Sequence, residues 1–255
     1  GLLGMLAARF TGVPVRIHTI AGLPFMTASG FRRKLLVAME KLTYWGAQHV
    51  WPNSQSMLAY VREQHLCPEY KLGIIKEGST NGIDLEQFSE ATLNPAVVAE
   101  VKTIIQYDPQ CTYLLAVGRI VKDKGIPELV AAFQHLQQAY PTLRLLLVGP
   151  LEEQRSEELL PAATLTAISE NPAIQHITWT DEVATYLHLA DVLVHASHRE
   201  GFPNVPLQAG AMKCPLVCSE IPGNIDIVTH EKTGLLFTVG DTEALTTTIQ
   251  RVLDH

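Results

Sequence analysis

No GxGxxG turn, no GxxxxGK loop and no HExxH pair occurs in the 255 residues. The dinucleotide fingerprint, the P-loop and the zincin helix are therefore excluded. No apolar run approaches the roughly 18 residues that a spanning helix needs. Basic charge is thin: 19 Lys and Arg stand against 26 Asp and Glu, for a net charge of −7. That balance argues against duplex nucleic acid as the main partner. Cysteine is scarce. Cys67, Cys111, Cys214 and Cys218 have no second cluster at ligand spacing, so they read as reduced thiols, two of them in the strand CPLVC. The opening GLLGMLAARF carries no initiator Met, basic leader or small-residue cleavage site, and does not read as a signal peptide.

What remains is ordinary globular composition, 47% hydrophobic and 18% charged. Apolar runs recur at 15–20, 49–54, 71–78, 112–118, 144–149, 174–179, 191–197, 215–220 and 234–239. Several are almost continuously apolar, as parallel strands buried on both faces are. Helical patterns such as IPELVAAFQHLQQAY (126–140) and DEVATYLHLA (181–190) lie between them. The fold class is α/β, doubly wound. GSTNGIDLEQFSEATLNP (78–95) is rich in turn formers and without period. The division is therefore a partial N-terminal domain at 1–85, a linker at 86–95 and a Rossmann-like domain at 96–255. The N-terminal part offers three strands and starts on a helix. A doubly wound domain normally opens with a strand, so the chain is expected to lack its first strands.

Two turns carry candidate chemistry. VGRIVKDKG (117–125) closes one strand and opens the next helix, placing Gly118, Arg119 and Lys124 at the C-terminal edge of the sheet. Two cations beside a helix N-terminus suit a diphosphate; a solvated basic turn is the alternative. HREGFPNVPLQAGAM (198–212) follows another strand at the same edge. Glu200 is the only carboxylate between Asp191 and Glu220. Beside a phosphate-binding helix start it should face neutral hydroxyls; alternatively it only complements the helix dipole. Helix 29–47 carries Arg32, Arg33, Lys34 and Lys41, with Phe31, Leu35, Met39 and Leu42 at helical spacing. It reads as a Rossmann helix with a solvated basic face, or as a peripheral membrane contact.

VGRIVKDKG, then ADVLVHASHREGFPNVPLQAGAM, then GNIDIVTHEKTGLLF resembles glycosyltransferase family four, the retaining GT-B enzymes, in wording typical of bacterial surface-polysaccharide members. The resemblance covers essentially the whole chain. It implies a nucleotide sugar, most simply a UDP-sugar, held between two Rossmann-like domains without metal or other cofactor. Arg119 and Lys124 would hold the diphosphate. Glu200, with Gly201, Phe202, Asn204 and Val205, would face the donor sugar as the catalytic segment. Position 208 would meet the ribose, and Val183 the base. The acceptor would be a glycan or a polyprenyl-linked sugar, handled in the cytoplasm or on the inner face of the membrane. Two departures stand out. The family's signature is Glu, seven residues, then Glu, yet position 208 is Gln, which accepts with one atom and donates with the other. The family's usual His after the strand at 15–20 falls on Ile20 or Ala21, and His18 reads as a structural strand residue. With its first strands expected to be missing, the chain is expected on this resemblance to bind a nucleoside diphosphate without transferring sugar; a nucleotide-sugar-binding module without transfer activity is the competing reading.

Overall fold

The computed structural model describes residues 1–79, 81–152 and 158–254. Its backbone contacts separate two compact units. The first comprises Gly1–Gly82 with two returning segments, Arg199–Pro203 and Ile221–Ile227; the second comprises Ile83–His198, Asn204–Glu220 and Val228–His255. Residues 86–95, read as a linker, lie in the second unit and include a short 3-10 turn at Glu90–Thr92.

The first unit runs α1 (Leu2–Phe10), β1 (Ile17–Ile20), α2 (Gly30–Gly46), β2 (His49–Pro52) and α3 (Gln55–Glu63). β1 and β2 pair in parallel, with Ile17 opposite His49 and Ile20 opposite Pro52. Ile20, Leu23, Phe25, Tyr44, Val50, Met57 and Val61 form its core. The strand expected at 71–78 is not there. Leu72 and Gly78 make only isolated bridges, to Val50 and Ser54. Lys76, Gly78 and Ser79 have φ of 50°, 107° and 68°, a left-handed backbone that cannot extend a ladder. α2 turns its stripe of Phe31, Leu35, Met39 and Leu42 outward, with Phe31 81% exposed. The face packed inward instead carries Leu36, Val37 and Tyr44.

In the second unit α4 (Pro95–Ile104) follows the 3-10 turn and leads into a strand–helix repeat. Its strands are β3 (Thr112–Val117), β4 (Leu143–Val148), β5 (Ile174–Ile177), β6 (Val192–His195), β7 (Leu216–Ser219) and β8 (Leu235–Phe237). The helices are α5 (Ile126–Ala139), α6 (Ala162–Glu170), α7 (Val183–Leu189), α8 (Asn204–Ala211) and α9 (Thr242–Leu253). All neighbouring strands are parallel, in the order β5-β4-β3-β6-β7-β8. Counted within the unit this is 3-2-1-4-5-6, the doubly wound order, with its switch point between β3 and β6. Leu143, Leu145, Leu146 and Leu147 on β4 are wholly buried. Each such leucine contributes about 1.5–3 kcal/mol relative to exposure. Burial on both faces is why these strands read as apolar runs. Among the described residues, no helix is long and apolar enough to cross a membrane.

Candidate functional site

At the switch point three glycines let backbones meet. Gly125 caps α5 with φ 68°, and a Cβ there would stand 2.1 Å from the carbonyl oxygen of Ala196, just beyond β6. Gly149, after β4, has φ 138°, and a Cβ there would lie 2.0 Å from the carbonyl oxygen of Gly118. Gly118 itself has φ 143° with open space beside it. The turn after β3 is thereby drawn down onto the ends of β4 and β6. A crevice between them is lined by Gly118, Arg119, Lys124, His195 and Ser197. The N-terminus of α5, with Pro127 in its first turn, begins directly after Lys124. The positive end of the helix and two cationic side chains share one edge.

Three groups here were missed by the sequence reading. Arg119 Nη1 is ion-paired with Glu158 Oε2, and the amide of Lys122 donates to the Glu158 carbonyl at 3.0 Å. Glu158 lies 39 positions from Arg119, beyond any local pattern. Ser197, 1% exposed, keeps a buried hydroxyl with no hydrogen-bond partner among the described residues. His198 is held twice, its amide donating to the Asp123 carbonyl at 2.8 Å and its Nε2 lying 2.9 Å from Glu128 Oε1. The hydrogen bond with Glu128 raises the His198 pKa against the opposing effect of burial. Burial tends to raise the Glu128 carboxyl, but the bonds from His198 and the backbone prevail and hold it below its ordinary value.

The other anticipated residues are distributed as follows. Val183, half-buried, is the first residue of α7. α8 begins at Asn204, buries Pro206 and Ala209, and leaves Asn204, Val205 and Gln208 half-buried. Glu200, Gly201 and Phe202 belong to the first unit, where Gly201 meets the loop after β1: a Cβ on Gly201 would stand 2.3 Å from the carbonyl oxygen of Ala21. Ile20 is core, 2% exposed. His18 lies in β1 with its ring 5.6 Å from that of Tyr44 and its Nε2 3.9 Å from Glu40. Burial lowers its pKa, which suits a neutral strand residue. Cys214 and Cys218 are buried on or beside β7, and burial pushes both thiols up to about 12, far from the thiolate.

The model of the glycosyl transferases group 1 family matches residues 101–255. The chain belongs to that family. It is 31% identical over 254 residues to the capsular polysaccharide biosynthesis glycosyltransferase CapM of Staphylococcus aureus, across the whole chain and 65% of that protein. It is 25% identical over 260 residues to a UDP-Gal:alpha-D-GlcNAc-diphosphoundecaprenol alpha-1,3-galactosyltransferase of Escherichia coli, across the whole chain and 64% of that protein. The chain thus spans just under two thirds of the length of these curated relatives. Among solved structures, HepE of Anabaena in complex with UDP-glucose superposes with a TM-score of 0.80 at 18% identity, over 99% of this chain and 66% of that one. WaaG, a glycosyltransferase of lipopolysaccharide biosynthesis, gives 0.74 at 15% identity, over 98% and 72%. The fold is that of GT-B glycosyltransferases.

Proposed function

We propose that this group 1 protein is a retaining glycosyltransferase that takes a sugar from a nucleotide diphosphate donor, a UDP-sugar, and passes it to a glycan or lipid-linked acceptor in surface polysaccharide synthesis. The observation that carries this reading is the meeting of Gly118, Arg119, Lys124 and the N-terminus of α5 at the switch point. Glycosyl transfer needs a diphosphate to leave as cation-like charge grows on the sugar. Preorganised cations and helix N–H groups stabilise that leaving group as its charge develops, without a metal ion. The unpartnered Ser197 hydroxyl offers a further donor to a phosphate oxygen. HepE binds UDP-glucose and the Escherichia coli relative is named for a diphosphoundecaprenol acceptor, which supports the donor and acceptor classes.

Glu200 is assigned to the sugar, with Gly201, Phe202, Asn204 and Val205 beside it. Val183 serves the base and Gln208 the ribose. A retaining double displacement wants two carboxylates about 5 Å apart. We assign the front-face route instead, in which the leaving phosphate helps to deprotonate the acceptor and Glu200 faces the sugar. α2 presents Phe31 and Leu35 outward beside Arg32, Arg33 and Lys34, which suits an anionic leaflet where lipid-linked acceptors lie. Cosedimentation with anionic vesicles checks this: equal binding by the parent and a Phe31→Ser, Leu35→Ser variant would remove α2 from membrane contact.

The decisive experiment is a transfer assay on the full natural chain with a panel of UDP-sugars, beside Glu200→Gln. The variant should keep UDP binding and lose turnover by roughly 10²-fold or more. Undiminished transfer by Glu200→Gln would remove Glu200 from the mechanism. UDP binding with no transfer of any sugar would make the protein a nucleotide-sugar-binding module.

A further inference from the structure

Gly201 is packed from two sides within the first unit. On one side is the Ala21 carbonyl oxygen, 2.3 Å from where a Gly201 Cβ would stand. On the other is Gly223, with φ 91°, whose Cβ would lie 2.7 Å from the Gly201 carbonyl oxygen and 3.3 Å from Cδ of Pro203. Gly22, with φ 144°, has Glu200 and Gly201 backbone atoms 3.9 Å from its own Cβ position. A side chain at Gly201 or Gly223 would collide with the neighbouring backbone, while at Gly22 it is the positive φ that favours glycine.

Gly223 is in turn held by two polar side chains far away in sequence. Its N–H donates to Ser56 Oγ at 2.9 Å and to Asp226 Oδ2 at 3.2 Å. The Ser56 hydroxyl donates to the same Oδ2, and the Ser56 amide donates to Asp226 Oδ1 at 3.0 Å. Both carboxylate oxygens are thus used, one of them twice. Ser56 lies in the first turn of α3, a helix whose own cap, Ser54, accepts from the Met57 amide and lies 3.3 Å from Ser56 Oγ. α3 is anchored in turn by Met57 and Val61, both wholly buried. α3 thereby holds Gly223, the cap of the turn Asn224–Asp226, against Gly201.

We propose that Ser56 and Asp226 are positioning residues for Glu200, acting through Gly223 and Gly201. The proposal rests on the assignment of Glu200 to the donor sugar. A carboxylate on a loop must be held to within a fraction of an ångström to act on a transition state, and a 1 Å misplacement can cost about 10²-fold in rate. The clamp has the character of such a support: charge-assisted hydrogen bonds, glycine-only contacts and a helix base. Neither side chain is assigned any contact with the substrate.

The test compares Ser56→Ala, Asp226→Asn and the rescue variant Ser56→Thr in the full natural chain. Hydrogen exchange at Gly201 and Phe202 and tryptic cleavage after Arg199 read the order of the loop without reference to activity. Both should accelerate in Ser56→Ala and Asp226→Asn and return towards parental rates in Ser56→Thr. UDP affinity should stay at the parental value. With a UDP-sugar that the parent transfers, kcat should fall by about tenfold or more at an unchanged donor KM. Parental exchange and cleavage in both variants would overturn the proposal. So would acceleration spread evenly over residues 1–82, which would mean general destabilisation. If Glu200→Gln is inactive while both clamp variants are fully active, the positioning role fails and the reading of Glu200 survives. If Glu200→Gln transfers normally, that reading fails first, and the positioning role falls with it.

Discussion

Glu158 closes an ion pair on Arg119 at the head of the turn assigned to the diphosphate. A carboxylate and a phosphate cannot share one guanidinium without repulsion, so the donor must displace Glu158 or accept its charge nearby. Glu158→Gln should therefore tighten UDP binding. The pair is only partly buried, so the gain should be about 1 kcal/mol or less, roughly fivefold. Calorimetry checks the sign; weaker binding by Glu158→Gln would mean that the acid helps to build the site.

Lys124 ends the 3-10 turn immediately before α5. Lys124→Ala should weaken UDP binding by about 1.5–3 kcal/mol, as losses of charge-assisted hydrogen bonds do. The parental affinity should be the same in chelator and in magnesium. An absolute requirement for magnesium would show that the cations and helix dipole do not suffice.

Gln208 stands half-buried on α8, one residue before the wholly buried Ala209. Gln208→Glu should bind UDP at least as well as the parent. Gln208→Leu should bind it more weakly, by about 1–3 kcal/mol, because a buried ribose hydroxyl would lose its partner. Titrations of UDP against uridine-free diphosphate would localise the effect. Equal UDP affinities for the Leu variant and the parent would place position 208 away from the nucleotide.

His198 and Glu128 tie the turn after β6 to the first turn of α5, with Asp123 and Lys122 as the charged neighbours. The His198 pKa is raised above its ordinary 6.5, so its contribution is full below that value and is lost as pH rises through the folded pKa. The Glu128 pKa is lowered from 4.5, so its contribution is present above that value and lost as pH falls through the folded pKa. The pair should therefore stabilise most between about 4.5 and 6.5 and fade on the alkaline side. The unfolding free energy from urea titrations should fall between pH 6 and pH 9 by an amount on the order of 1 kcal/mol, and His198→Gln should flatten that slope. An identical pH dependence in the variant would show that the pair carries no such linkage.

The order of elements in the second unit was legible without any structure, and for a physical reason. Strands buried on both faces must be apolar throughout, so the six runs from 112–118 to 234–239 stand out against amphipathic helices and match the six observed strands. VGRIVKDKG and HREGFPN were legible as strand-to-helix junctions too, because a strand end, a turn and a helix start are local. What escaped was set by residues distant in sequence or by backbone handedness. The apolar run at 71–78 suggested a strand, but positive φ at Lys76 and Gly78 forbade a ladder. α2 carries two apolar stripes, and only packing decided that Leu36 and Val37 turn inward while Phe31 and Leu35 turn out. Glu158 on Arg119, Glu128 on His198, and Ser56 with Asp226 beneath Gly223 are contacts across 39, 70 and 170 positions. Hydrophobic periodicity and turn chemistry act over a few residues and so can be read along the chain; the partner of a charge is fixed only when folding brings distant segments together.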